Sequence, residues 1–247
     1  MRTFSKTDTG VKREMNQDYF FSSETAVGNL PNLFLVADGM GGHKAGEYAS
    51  RYTIERIVAS VSRNTGKEPV KIFKEAIRKA NDLLIAEARE DETKNGMGTT
   101  LVAATIIGHR LFVANVGDSR LYVISDRIRQ ITKDHSLVEE MVRLGEMAES
   151  EARKHPRKNI ITRAIGAADQ VEADFFEVEL GEKDTILLCS DGLTNMVEDS
   201  AIEEIIFAKE NVETKVNTLI QNANANGGRD NITATIIEPF SDEVKTC

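Results

Sequence analysis

Tryptophan is absent from the 247-residue chain, cysteine occurs twice, proline four times, and aromatic residues make up only 6%. Two cysteines, Cys189 and Cys247, cannot build the disulfide framework of a small secreted domain, so a reducing, cytoplasmic compartment is expected. The prolines (Pro31, Pro69, Pro156 and Pro239) mark no Pro/Gly/Ser-rich linker, and no internal repeat is visible. A single domain over 1–247, with an ordered core of about 2–240, is therefore expected. No apolar run approaches the roughly 20 residues of a membrane span. The opening MRTFSKTDTG also lacks the apolar core of a secretory signal. Basic residues are in deficit, 31 against 40 acidic, giving a net charge of −9. That balance disfavours a nucleic-acid binder, which needs surplus Lys and Arg against phosphate.

What is present is strongly patterned. Ala49, Tyr52, Ile57 and Val61 predict a helix from Lys44 to about Arg63. Phe73, Ala76, Ile77, Ala80, Leu83 and Leu84 form one apolar stripe in a second, from Glu68 to about Glu90. Leu33–Ala37 is apolar throughout and reads as a buried strand. Leu101–Ile107, Leu111–Val116, Arg120–Ile124 and Ile128–Ile131 are short, β-branched and separated by Gly, Asp or Ser, as in an antiparallel meander. Thr185–Cys189 and Ile232–Ile237 add two strands; Ser136–Gly145, Ser200–Lys209 and Val212–Ala225 add helices. The charged stretch Glu146–Asn159 reads as a surface insertion or flap. Consecutive strands without intervening helices argue for antiparallel sheet packed with helices, against a doubly wound parallel sheet.

Three apolar strands end in an aspartate beside a small residue: Asp38-Gly39, Gly117-Asp118 and Asp191-Gly192; a fourth, Asp230, precedes a strand. Any one alone is ordinary turn chemistry. Gathered at one rim, the four would repel unless a cation sat between them, and hard divalent ions take oxygen ligands, including a carbonyl exposed by glycine. Other chemistries fit less well. Gly39-Met40-Gly41-Gly42-His43-Lys44 matches neither a Walker loop nor a dinucleotide fingerprint. The four histidines lack HExxH spacing, Cys189 lies in an apolar run, and no G-x-S-x-G elbow surrounds Ser119 or Ser190.

Eight motifs occur in order across about 220 residues: Arg13-Glu14-Met15-Asn16-Gln17-Asp18, VADGMGGH (36–43), GMGTT (96–100), ANVGDSR (114–120), DHS (134–136), NIITRAIG (159–166), SDGLTN (190–195) and GGRDNIT (227–233). Together they resemble the metal-dependent protein phosphatase (protein phosphatase 2C) family, most closely its short bacterial serine/threonine phosphatases. The resemblance implies an α+β fold, a four-layer αββα sandwich of two antiparallel sheets flanked by helix pairs, with a flap near 137–158. It implies two Mn²⁺ or Mg²⁺ ions, with a possible third. In that scheme Asp38 bridges the pair, the Gly39 carbonyl binds one ion, and Asp191 and Asp230 bind the other. Asp118 corresponds to a third metal position and Asp18 to an aspartate that orders metal-bound water. Arg13 corresponds to the arginine that holds the substrate phosphate.

The implied activity is hydrolysis of phosphoserine and phosphothreonine by a metal-bridging hydroxide, opposing a cognate Ser/Thr kinase. The expected partners are phosphoproteins and that kinase, with no nucleic acid, no membrane span and a monomeric enzyme. Two departures stand out. Met40 follows Asp-Gly where eukaryotic members carry a histidine, and Gln17 replaces a glutamate before Asp18. The general acid is thus open among His43, His135 and water. Two other functions share the scaffold: a phosphohydrolase of small metabolites, and a regulatory binding module. The retained Asp38, Asp191 and Asp230 argue against the second.

Overall fold

The computed structural model describes residues 1–42, 44–152 and 155–241, with residues 149 and 150 by backbone alone. Its strands are β1 (Arg2–Asp8), β2 (Asp18–Ser23), β3 (Leu33–Met40), β4 (Gly98–Thr99), β5 (Leu101–Ile107), β6 (Arg110–Val116), β7 (Arg120–Ile124), β8 (Ile128–Gln130), β9 (Asp174–Glu179), β10 (Thr185–Cys189) and β11 (Ile232–Glu238). The helices are α1 (Ala45–Arg63), α2 (Pro69–Glu90), α3 (Leu137–Arg143), α4 (Glu149–Ala152), α5 (Asp191–Thr194), α6 (Asp199–Phe207) and α7 (Val212–Ala225). Local chemistry sets several boundaries. Pro69 starts α2, where its missing N–H costs nothing. The side chains of Ser136 and Asn211 accept backbone N–H groups at the starts of α3 and α7.

Two antiparallel sheets stack face to face. One runs β1-β11-β10-β7-β8; the other runs β2-β3-β5-β6-β9, with β4 paired to β3. The continuous apolar run of β3 follows from burial on both faces. Phe34 and Val36 point between the sheets, while Leu33, Leu35 and Ala37 point to α1 and α2. Strand β10 does the same in the other layer: Ile186 and Leu188 face inward, and Leu187 and Cys189 meet α6 and α7. The four layers are those implied by the family resemblance.

One expectation is corrected. The run from Leu101 to Ile131 is not one meander: β5 and β6 pair in one sheet, β7 and β8 in the other. The chain changes sheets at Gly117-Asp118-Ser119. Gly117 has φ of +100°, and a Cβ there would lie 2.6 Å from the Thr100 side chain. Alternating apolar patterns specify each hairpin but not which layer it joins. The polar stretch after α3 holds the short α4, and His43, Cys247 and part of the flap lie outside the described residues. Among the described residues no helix is long and apolar enough to cross a membrane.

Candidate active site

The aspartates come together between the sheets, not along the rim of one. Asp38 lies within β3, because the strand continues to Met40 and pairs with β4. Asp18 opens β2 directly opposite it. Asp191 follows β10 as the first residue of α5, Asp230 precedes β11, and Asp118 sits where the chain changes sheets.

Backbone contacts fix Asp38. Its N–H donates to Thr100 Oγ1 at 2.9 Å, and its carbonyl accepts from the Thr99 hydroxyl and the Thr100 N–H at 2.9 Å each. Gly39 tolerates no side chain: a Cβ would fall 2.0 Å from the Gly46 carbonyl oxygen, and its N–H donates to Gln17 O. Asp18 Oδ2 accepts from Ser190 Oγ and Thr233 Oγ1, both at 2.7 Å. Asn231 organises the Arg13–Asp18 segment. It accepts from Gln17 N–H at 2.8 Å and donates to the carbonyls of Thr9 and Met15. The roles of Thr99, Thr100, Ser190, Thr233 and Asn231 escaped the sequence reading, although all lie inside the quoted motifs. Their residue types announce no chemistry until the partners are known.

The electrostatics are strained by crowding. Burial, then the charges of Asp18, Asp191, Asp118 and Asp230, push the Asp38 carboxyl well above the usual range. Burial carries Asp18 up to about 7 against the opposing Ser190 and Thr233 hydrogen bonds. Asp118 is raised by burial and by Asp191 and Asp134. Asp191 is raised by burial and by Asp230, with Asp38 and the charges of Arg120 and Lys158 pulling the other way. Arg13, half exposed, reaches Asp230 with Nη2 2.8 Å from Oδ2, and that bond holds its guanidinium more firmly protonated.

These residues fit a hard divalent cation. Asp18 Oδ1 and Asp191 Oδ1 are buried with no hydrogen-bond partner, and the available donors are oxygens. Among the described residues, no three His, Cys, Asp or Glu side chains are already drawn together as a cage. The oxygens are in place but not closed on one point, and Asp230 is engaged by Arg13.

The candidate proton donors divide. Met40 has no proton to give. His135 is buried, its Nδ1 accepting the Gly117 N–H at 3.0 Å and its Nε2 lying 3.2 Å from Asp174 Oδ2. Both ring nitrogens are therefore committed to holding the Gly117 crossing. The protein nucleophiles are also committed. Cys189 is buried in the core with its thiol pushed up by burial. Ser119 bonds Thr100, and Ser190 bonds Asp18.

A sandwich of this kind, with carboxylates gathered between its sheets, defines a class of metal-dependent phosphohydrolases. The protein phosphatase 2C family profile matches residues 4–232, and the chain belongs to that family. It is 42% identical over 239 residues to the serine/threonine phosphatase stp of Listeria monocytogenes, covering 94% of both chains. A serine/threonine phosphatase of Staphylococcus aureus superposes with a TM-score of 0.89 at 36% identity, covering 95% of this chain and 93% of that one. The catalytic domain of the serine/threonine phosphatase PstP, solved with two manganese ions, superposes at 0.83 with 33% identity over 95% of this chain and 96% of its own.

Proposed function

We propose that this chain is a metal-dependent serine/threonine phosphoprotein phosphatase acting as one catalytic domain. The observation that carries the reading is the convergence of Asp18, Asp38 and Asp191, with an unpartnered buried carboxylate oxygen on Asp18 and on Asp191, beside an arginine at the mouth of the site. Asp38, the Gly39 carbonyl, Asp191 and Asp230 are the proposed ligands of two Mn²⁺ or Mg²⁺ ions. Asp118 is assigned to a third, weaker position and Asp18 to ordering water. When bound, such a pair supplies Lewis acidity toward the phosphoryl oxygens and a water acidic enough to attack near neutral pH.

The chain's own residues do the rest. Arg13 presents a planar fork to two phosphate oxygens and offsets the charge that builds on them. Asp230 holds that fork at the site's mouth. Thr99 and Thr100 hold the backbone of Asp38, and Ser190 and Thr233 hold the carboxylate of Asp18. With Ser119, Ser190 and Cys189 committed elsewhere, the reading assigns no covalent phosphoenzyme. We assign a monomer, a cytoplasmic location and an opposing Ser/Thr kinase as partner.

The test is release of phosphate from a phosphothreonine peptide with Mn²⁺, with EDTA, and with Asp38→Ala or Asp191→Ala. Loss of activity on chelation and in both variants is expected. Activity that survives chelation, or both substitutions, overturns the reading. A small phosphorylated metabolite hydrolysed far faster than the peptide would shift the assignment to a metabolite phosphohydrolase.

A further inference from the structure

Asp191 is held by more than its place at the start of α5. Its Oδ2 accepts a hydrogen bond from Asn195 Nδ2 at 2.8 Å, one helical turn on. The other end of the same amide, Asn195 Oδ1, accepts from Lys158 Nζ at 2.8 Å. Lysine only donates and an ionised carboxylate only accepts, so the amide between them has a single workable orientation. The Asp191 carboxylate is thereby turned with Oδ1 left over, buried and without a hydrogen-bond partner. Neither Asn195 nor Lys158 has a role in the site described above.

Lys158 comes from a different part of the chain. It sits in the turn after α4, where its N–H bonds the His155 carbonyl. That turn is anchored beyond Lys158 by Leu137 N–H to Ile160 O at 2.8 Å and Thr162 N–H to His135 O at 2.7 Å. Lys158 and Asn195 stand with Asp118 and Asp191 on the wall of one groove of about 820 Å³. The flap segment thus touches a proposed metal ligand through a single intervening amide.

We propose that Lys158 and Asn195 form a relay in which the seating of the flap sets the orientation of Asp191, and through it the cation affinity of the site. This rests on Asp191 being a metal ligand, as proposed above. Asn195 is a positioning residue, and Lys158 positions Asn195. Partners of this kind commonly change metal affinity 10–100-fold when removed. A ligand that lifts Lys158 from Asn195 lowers cation affinity, so flap position and metal occupancy become linked.

Simple electrostatics and the relay predict opposite signs. Lys158 is a cation near the site, and its charge repels a second cation placed there. On charge alone, Lys158→Met tightens Mn²⁺ binding. On the relay, it weakens binding about fivefold, Lys158→Arg restores it, and Asn195→Ala weakens it about tenfold. The double variant weakens binding by less than the product of the two single effects, because Lys158 orients Asp191 through the same amide.

The measurement is isothermal titration of Mn²⁺ into EDTA-stripped protein, with thermal melts confirming that each variant folds. If Asn195→Ala does not fold, the sign of the Lys158→Met change decides by itself. Tighter or unchanged binding in Lys158→Met, or additive effects in the double variant, overturns the relay. Wild-type protein that binds no Mn²⁺ overturns the metal reading as well, which separates the two failures.

Discussion

Asp18 and Asp38 are register partners, two carboxylates facing each other across β2 and β3. Like charges placed opposite one another in a sheet are destabilising, and here both groups are raised above the ordinary 3.8. An acid with a raised folded value binds protons preferentially in the folded state. For Asp18, its contribution is harmless below the unfolded value of 3.8 and becomes destabilising as pH rises toward about 7. In EDTA, the melting temperature should therefore fall between about pH 5 and 7.5, and Asp18→Asn should flatten that fall. Mn²⁺ should raise the melting temperature more at the alkaline end. A chelated wild-type protein whose stability climbs across that range in parallel with Asp18→Asn would contradict the assignment.

Arg13 and Asp230 give a second, two-sided prediction. Arg13→Ala removes charge-assisted hydrogen bonds to phosphate and should lower kcat/KM for a phosphothreonine peptide about 30-fold. Arg13→Lys should recover only part of this, because an ammonium cannot reproduce the fork. The same Arg13→Ala change frees Asp230 from an exposed ion pair and should tighten Mn²⁺ binding modestly, about twofold. Weaker metal binding in Arg13→Ala would mean that the arginine supports the ligand.

Asn231 is a structural prediction. Replacing it with alanine strands the Gln17 N–H and the Thr9 and Met15 carbonyls at once. A loss of about 3 kcal/mol is expected from chemical denaturation. The peptide KM should rise as well, since the loop carrying Arg13 loses its anchor.

His135 should behave as scaffolding. His135→Ala should cost about 2 kcal/mol by leaving the Gly117 N–H unpaired. The pH–rate profile of the surviving activity should keep its shape. Disappearance of the alkaline limb would restore His135 as the proton donor. Its pairing also explains Asp174. Burial pushes that carboxyl up, but its pairing with His135 and Arg163 outweighs burial and leaves it lowered.

The strands and helices that the sequence announced are those whose burial is simple. β3 and β10 are buried on both faces and read as unbroken apolar runs, and α2 shows one stripe against charge. β1, β2 and β9 were not anticipated. RTFSKTD and DFFEVE alternate weakly and lie at sheet edges, where one side needs no apolar residue. Asp38, Asp118, Asp191 and Asp230 were legible because each is punctuated by a neighbouring small or turn-forming residue. Asp18 carries no such mark, and its place opposite Asp38 depends on the register of a strand that was itself missed. Hydroxyls such as Ser190 and Thr233 are invisible for a related reason: a serine or threonine in a strand looks like filler until its partner, more than 170 residues away in the case of Ser190, is known.

The Asp18 carboxylate belongs to a strand of one sheet; of the hydroxyls that grip it, Thr233 lies in β11 of the other sheet and Ser190 directly follows that sheet's β10. It is therefore a rivet through the sandwich as well as a neighbour of the chemistry. A variant at Asp18 that loses activity confounds two failures, a poorer reaction centre and layers that have slipped against each other. Asp191 and Arg13 offer cleaner knockouts, and Asp18 is better used to ask how tightly the two sheets are fastened.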